Sequence, residues 1–274
     1  HFFTVEEVKR QLDIMALYKF NVFHWHLTED QGWRIAMDKY PKLAEVAAFR
    51  MYGDSVYGGS YSREQLEDVV AHARGLGIEI IPEIELPGHS QAAIAAYPEL
   101  GCTGKPLEVA TEWGVFKDIY CAGNEHTFEF LEDVLDYVCE IFPSKYIHIG
   151  GDEAPKYRWE HCAKCQQRIK NEGLKTEEEL QSWFNIRIED YVATKGKQII
   201  GWDEILEGGL SPNATVQSWR GFEGGIQAAE QGHDAIMSPT SHAYFDYPIS
   251  SIDVPKVYAY DPVPQDLDPM LSEH

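Results

Sequence analysis

The chain is expected to be an α/β protein with a (β/α)8 TIM-barrel architecture rather than an open doubly wound sheet. Three observations carry this expectation. Helical and strand-like apolar patterns alternate along the chain. The strands are continuous apolar runs, as expected of a parallel sheet covered on both faces. No G-x-G-x-x-G or G-x-x-x-x-G-K-[ST] follows any strand, which disfavours a nucleotide-binding sheet. A length of 274 residues is enough for one large core, and no Pro/Gly/Ser-rich linker divides it, so a single domain over 1–274 is expected.

The elements follow in order. Thr4 with Glu7 has capping-box spacing, and Val5, Val8, Leu12, Met15 and Ala16 share a helical face, predicting a helix over 4–18. The β-forming run 21–27 is the first strand. Ser62 with Gln65 opens the next helix, which carries Leu66, Val69, Val70 and Ala73 on one face and reaches Gly75. A strand over 78–84, a helix over 126–142 and a strand over 145–149 come next. Thr176 with Glu179 has the same capping-box spacing and starts a helix to 194, closed by Gly196. The last units are strands over 198–202, 215–219 and 234–238, with a short helix over 225–230. Residues 99–124, with their Gly, Pro and Cys, read as a loop packed over one end.

Composition bounds the partners. Lys and Arg number 23 and Asp and Glu 45, for a formal charge of −22 and a pI near 4.8. Phosphate neutralisation is disfavoured, so no nucleic-acid partner is expected. No apolar run approaches the ~20 residues of a membrane helix. The chain starts without a secretory apolar region and reads as mature or trimmed. Seven Trp and fifteen Tyr among many acids suit sugars, whose C–H faces stack on rings while hydroxyls bond carboxylates, although large aromatics also build cores.

Polar residues concentrate at the strand ends, where a barrel keeps its chemistry. The first strand end supplies His24, His26, Glu29, Asp30 and Arg34. The second supplies Glu83, Glu85 and His89, the third Asp152 and Glu153, the fourth Trp202, Asp203 and Glu204. Gln217, Trp219 and Arg220 follow the fifth, and His242, Tyr244 and Asp246 the sixth. Asp152-Glu153 after two glycines is the sharpest local feature. Adjacent carboxylates repel, which helps keep one protonated as an acid. Acids at a helix N-terminus are the alternative reading. His24-x-His26 with Asp30 has metal-site spacing, with His89, His148 or Asp152 as further ligands, but the more frequent role of such histidines is pairing with a carboxylate.

The five cysteines leave alternatives open. Cys162-x-x-Cys165 reads as a loop disulfide, half of a zinc site with only His161 near, or two free thiols. Cys102 and Cys121 flank the long loop and have the placement for a disulfide. Cys139 reads as a buried thiol on a helix face. No G-x-S-x-G elbow supports a serine triad.

Six segments resemble the β-N-acetylhexosaminidases of glycoside hydrolase family 20: Phe23-His-Trp-His-Leu-Thr-Glu-Asp-Gln-Gly-Trp-Arg34, Pro82-Glu-Ile-Glu-Leu-Pro-Gly-His89, His148-Ile-Gly-Gly-Asp-Glu153, Gly201-Trp-Asp-Glu204, Gln217-Ser-Trp-Arg220 and Tyr244-Phe-Asp246. The resemblance runs from residue 1 to about 247. It implies a barrel of which this chain carries roughly strands 2 to 7, so the chain reads as a window of a longer one. With two open edges, the bare 274 residues are expected to be poorly stable and weakly active. It also implies a retaining, substrate-assisted mechanism. Glu153 would be general acid and then base. Asp152 would orient the 2-acetamido N–H, and Tyr244 would donate to its oxygen. Trp202 and Trp219 would wall the acetamido pocket, and Asp246 would bond sugar hydroxyls. Asp30 and His89 would hold the acid in position and tune its pKa, and His148 would support the site from behind the residues that touch substrate. The implied partner is a carbohydrate ending in GlcNAc or GalNAc, with no metal or organic cofactor in the reaction and an extracytoplasmic location. A metal hydrolase on His24 and His26 and a non-catalytic sugar-binding module are the competing readings.

Overall fold

A computed structural model describes every residue except 249. Six strands form one curled parallel sheet: β1 (Val22–His26), β2 (Glu79–Leu86), β3 (Tyr146–Gly150), β4 (Gln198–Trp202), β5 (Thr215–Ser218) and β6 (Ala235–Met237). Their spatial order is their chain order, each pairing in parallel with the next. A doubly wound sheet would reverse its order at a switch point. An unreversed order is that of a barrel wall.

Five helices cover the outside: α1 (Val5–Leu17), α2 (Arg63–Gly75), α3 (Glu125–Ile141), α4 (Glu177–Thr194) and α5 (Glu223–Glu230). The capping boxes at Thr4 and Ser62 form in full. At Thr176 only half does: its hydroxyl accepts from the Glu179 N–H, while the Glu179 carboxylate turns back to the N–H of Lys175. No helix links β4 to β5; a 3-10 turn, Asp203–Leu206, takes its place.

The two faces of the sheet differ in chemistry. On β2, Ile80, Ile84 and Leu86 join the apolar cluster under the helices. Ile81, Glu83 and Glu85 alternate with them and face the barrel interior. Trp25 on β1, Ile147 and Ile149 on β3 and Ile199 on β4 repeat the outward pattern. His24, His26, His148 and Trp202 therefore share the inner face with Glu83 and Glu85. Both faces of β2 are buried from Ile80 to Leu86, so this strand looks continuous in burial although it alternates in polarity.

Register places the inner groups level. His26 pairs with Glu83, and Glu83 pairs with His148. Between Glu83 and Leu86, β2 gains a residue on β3, a bulge at the mouth of the barrel. β2 runs two residues beyond the expected end and so includes Glu85. The loop over 101–124 lies across the strand ends as expected: Tyr120 N–H bonds the Pro87 carbonyl and Ala110 N–H that of Asp30. Among the described residues, no helix is long and apolar enough to cross a membrane.

Candidate active site

The turn after β3 is the most constrained backbone at the strand ends. Gly150, Gly151 and Glu153 have φ of 66°, 92° and 44°. At Gly150 a Cβ would also run into the buried Glu85 carboxylate. Gly150→Ala is therefore expected to cost about 1–3 kcal/mol. A urea midpoint unchanged by this substitution would show that the turn relaxes without strain.

Glu153 is not glycine, and for an ordinary side chain this left-handed backbone is a sparsely populated state. His89, on the loop after β2, is also left-handed at φ 47°. The two meet. His89 Nε2 lies 3.4 Å from Asp152 Oδ2 and 3.6 Å from Glu153 Oε2. Its Nδ1 lies 2.8 Å from Glu29 and 3.5 Å from Asp30. Asp30 is itself fixed by the Gln91 N–H at 2.8 Å.

The charges follow from this arrangement. Burial opposes a charged His89, but Asp152, Asp30 and Glu29 outweigh it and hold the imidazolium far above its ordinary range. Burial raises Asp30. Glu153 is raised as well, chiefly by burial; His89 works against this and Asp152 adds to it. Its side chain is still 38% exposed, so it can exchange protons with a ligand or solvent. Asp152 Oδ1 is buried without a hydrogen-bond partner.

A second cluster centres on Glu83, only 1% exposed. Its carboxylate accepts the Trp202 indole N–H at 2.8 Å and lies 2.9 Å from His24 Nε2 and 3.1 Å from His148 Nδ1. Burial would raise Glu83, but His26, His148 and His24 hold it well below the carboxylate range. The His148 ring packs 5.0 Å from that of Trp202. His148 thus stands behind Trp202; one residue beyond it on β3, Ile149 points into the helix layer, and the glycine turn carries Glu153 away. Glu85 is pushed well above the carboxylate range by burial, then by Asp152 and Glu83.

The third cluster builds the aromatic wall. Trp202 and Trp219 meet at 6.5 Å and 73°, and Tyr244 stacks on Trp219 at 6.2 Å and 18°. The Trp219 indole N–H donates to Glu204 at 2.9 Å. Buried Asp203 accepts the backbone N–H groups of Trp219 and Arg220 and so fixes the end of β5. Burial lifts Glu204 to about 7 against its contacts with Trp219 and Arg220. Burial and the Asp152 charge raise the Tyr244 hydroxyl, so it stays a donor. A cavity of about 390 Å³ is lined by Gly151, Glu153, Ala154, Lys156, Glu204 and Arg220, among others.

The structure thus brings together Asp30, His89, Asp152 and Glu153, and separately Trp202, Trp219 and Tyr244 with His148 beneath. Asp246 is exposed and makes no hydrogen bond among the described residues, although its charge reaches Tyr244. His24 and His26 do not form one ligand set. His24 groups with Glu83 and His148, His26 with Glu83 and Glu85. Glu29, Glu83, Asp203 and Glu204 act as organisers, whereas sequence reasoning gave them no role beyond strand-end polarity. Two acids inside the apolar run of β2 were the available signal for Glu83. All five cysteines are free, and no Cys102–Cys121 disulfide forms.

Comparison with known proteins gives the family. Residues 1–268 match the family described as glycosyl hydrolase family 20, catalytic domain. A β-hexosaminidase of Porphyromonas gingivalis is 50% identical over 280 residues, covering 97% of this chain and 36% of that protein. One from Akkermansia muciniphila is 37% identical, covering 90% of this chain and 52% of that protein. Among solved structures, a chitobiase of Flavobacterium johnsoniae superposes with a TM-score of 0.88 at 38% identity, over all of this chain and 41% of its own. The β-N-acetylhexosaminidase of Bacteroides fragilis gives 0.88 at 35% identity, over 98% of this chain and 57% of its own. The chain spans between about a third and three fifths of the length of these relatives. On this match and these identities, the chain belongs to glycosyl hydrolase family 20.

Proposed function

We propose that this chain forms the catalytic region of an exo-acting, retaining β-N-acetylhexosaminidase that removes terminal β-linked GlcNAc or GalNAc by substrate-assisted catalysis. The observation that carries the proposal is the unpartnered, buried Oδ1 of Asp152 beside an acid of raised pKa. A buried acceptor without a donor is costly unless a ligand supplies one. An acetamido N–H is such a donor.

In the first step the acetamido oxygen attacks C1 while protonated Glu153 gives its proton to the glycosidic oxygen. The C1–O bond breaks, the aglycone leaves as an alcohol, and a bicyclic oxazolinium forms. Asp152 accepts the acetamido N–H and balances its growing positive charge. Tyr244 donates to the acetamido oxygen and orients it. In the second step the Glu153 carboxylate takes a proton from water, which attacks C1 and reopens the ring. Two inversions give net retention. Trp202 and Trp219 wall the acetamido group and exclude water, so the internal nucleophile is favoured. Asp246 bonds sugar hydroxyls. Asp30 and His89 hold the acid pair, and His148 steadies Trp202 through Glu83. No metal or organic cofactor enters these steps.

We read the sheet as strands 2 to 7 of an eight-stranded barrel whose remaining strands lie outside these residues, and the protein as extracytoplasmic. The test compares an aryl β-N-acetylglucosaminide with the matching aryl β-glucoside, using a chain that carries the flanking strands. Cleavage of the first alone is expected. Equal cleavage of both would point to a protein nucleophile, and cleavage of neither to a binding module.

A further inference from the structure

Four cysteines converge at a place the reaction does not use. Cys102 and Cys121 bound the loop over the strand ends. Cys162 and Cys165 sit at the N-terminus of the helix Ala163–Glu172. These positions are 41 to 63 residues apart across the loop–helix pairs, yet ligand atoms of all four lie within 4.8 Å of one another. Cys121, Cys162 and Cys165 are buried and Cys102 half-buried.

The spacing distinguishes a metal site from two disulfides. Cys102 Sγ is 3.7 Å from Cys165 Sγ, Cys121 Sγ is 3.8 Å from Cys162 Sγ, and Cys121 Sγ is 3.7 Å from Cys165 Sγ. A disulfide needs sulfurs about 2.05 Å apart, and each sulfur then has one partner. Here Cys121 and Cys165 each have two partners at equal range. A tetrahedron with Zn–S bonds of about 2.3 Å has S···S edges of about 3.8 Å.

We propose that Cys102, Cys121, Cys162 and Cys165 bind one structural Zn²⁺ as four thiolates. Binding exchanges up to four thiol protons for the metal, with no redox change. Four protein ligands leave no open position, so the ion does no chemistry on a substrate. The surroundings suit thiolates. The Gly123 N–H lies beside Cys121, and Cys162 stands at the N-cap position of a helix, whose dipole favours negative charge. Gly123 packs directly on the backbone of Lys164 and Cys165, where a Cβ would not fit.

The ion would brace the loop over 101–124, which has little regular structure of its own. That loop bonds Asp30 through Ala110 and Gln91 through Glu108. Its Asp118 is pinned by Arg158 at 2.8 and 3.0 Å. Zinc thus ties the loop behind His89 to the helix Ala163–Glu172.

The test is metal analysis of the full-length protein, purified under reductant without chelator. About one zinc per chain is expected, lost in Cys162→Ser/Cys165→Ser and kept in Cys139→Ser. In case the double variant fails to fold, the second measurement uses the wild-type chain. Zinc is displaced with a mercurial, the mercurial is removed with thiol, and Co²⁺ is added. Intense sulfur-to-cobalt charge-transfer bands with tetrahedral d–d bands are expected, together with a higher Tm on metal return. Zinc below about a tenth of an equivalent after loading under reductant, or octahedral cobalt bands, would overturn the proposal. So would non-reducing peptide mapping that finds disulfides among the four in freshly isolated protein.

Discussion

Glu153→Gln is expected to lower kcat on an oligosaccharide about 10²–10⁴-fold, the usual contribution of a placed acid–base group. The amide keeps the shape of the side chain but has no proton to give. KM is expected to change little, because the Trp202–Trp219–Tyr244 wall is untouched. An aryl glycoside with an acidic leaving group is expected to lose less in the bond-breaking step, since that departure needs little protonation. The pH profile supplies a separate readout. The Glu153 carboxyl is raised by burial and by Asp152. An acid must be protonated to act, so wild-type activity is expected to fall as pH rises through that raised value. This limb should vanish in the Gln variant, whose amide does not titrate. An unchanged oligosaccharide kcat, or an unchanged limb, would remove Glu153 from the acid role.

Glu83→Ala is expected to be the most destabilising single change in the barrel interior. It removes the acceptor of the Trp202 indole N–H, at 2.8 Å, and the negative charge that faces His24 at 2.9 Å and His148 at 3.1 Å. Removing one partner of a buried ionic network costs about 3–5 kcal/mol. At about 2–4 °C per kcal/mol for a chain of this size, Tm should fall by about 6–20 °C. Glu83→Gln should cost less, because its amide oxygen still accepts from Trp202. The pH dependence has a definite sign. The folded Glu83 is held below its ordinary value, so its stabilisation is present above the unfolded carboxylate pKa and is lost as pH falls through the folded one. The Ala variant should therefore lose part of the wild-type sensitivity to acid. A calorimetric Tm within about 2 °C of wild type would show that the barrel interior does without this carboxylate.

The legible part of the fold was local. The spacing of Val8 and Leu12, or of Leu66, Val69 and Ala73, is a property of a few neighbouring residues, and those helices stand where the pattern puts them. The Thr176 capping box was legible only by half, because the Glu179 carboxylate has two nearby N–H groups to choose from and takes that of Lys175. The 3-10 turn after β4 was not legible, because its first residue, buried Asp203, is held by the backbone N–H groups of Trp219 and Arg220 at the end of the next strand. At the site, Asp152-Glu153 was legible because two glycines beside two acids are a local signature. Glu204 and Glu83 were not, since an acid becomes an organiser only through what folds against it.

By itself the sequence determined the alternation of elements, the apolar character of the strands and the residue types at each strand end, all set by backbone periodicity and side-chain size. Tertiary structure alone decided which of those residues meet and which proton each keeps. Glu83, Glu85, Glu153 and Glu204 are chemically one residue type. Yet Glu83 is held low by three histidines, while burial and neighbouring carboxylates raise the other three. The four cysteines follow the same logic, as distant pairs whose common centre exists only after the loop folds over the strand ends. Dielectric, charge and distance belong to the assembled barrel end, and no short stretch of chain contains them.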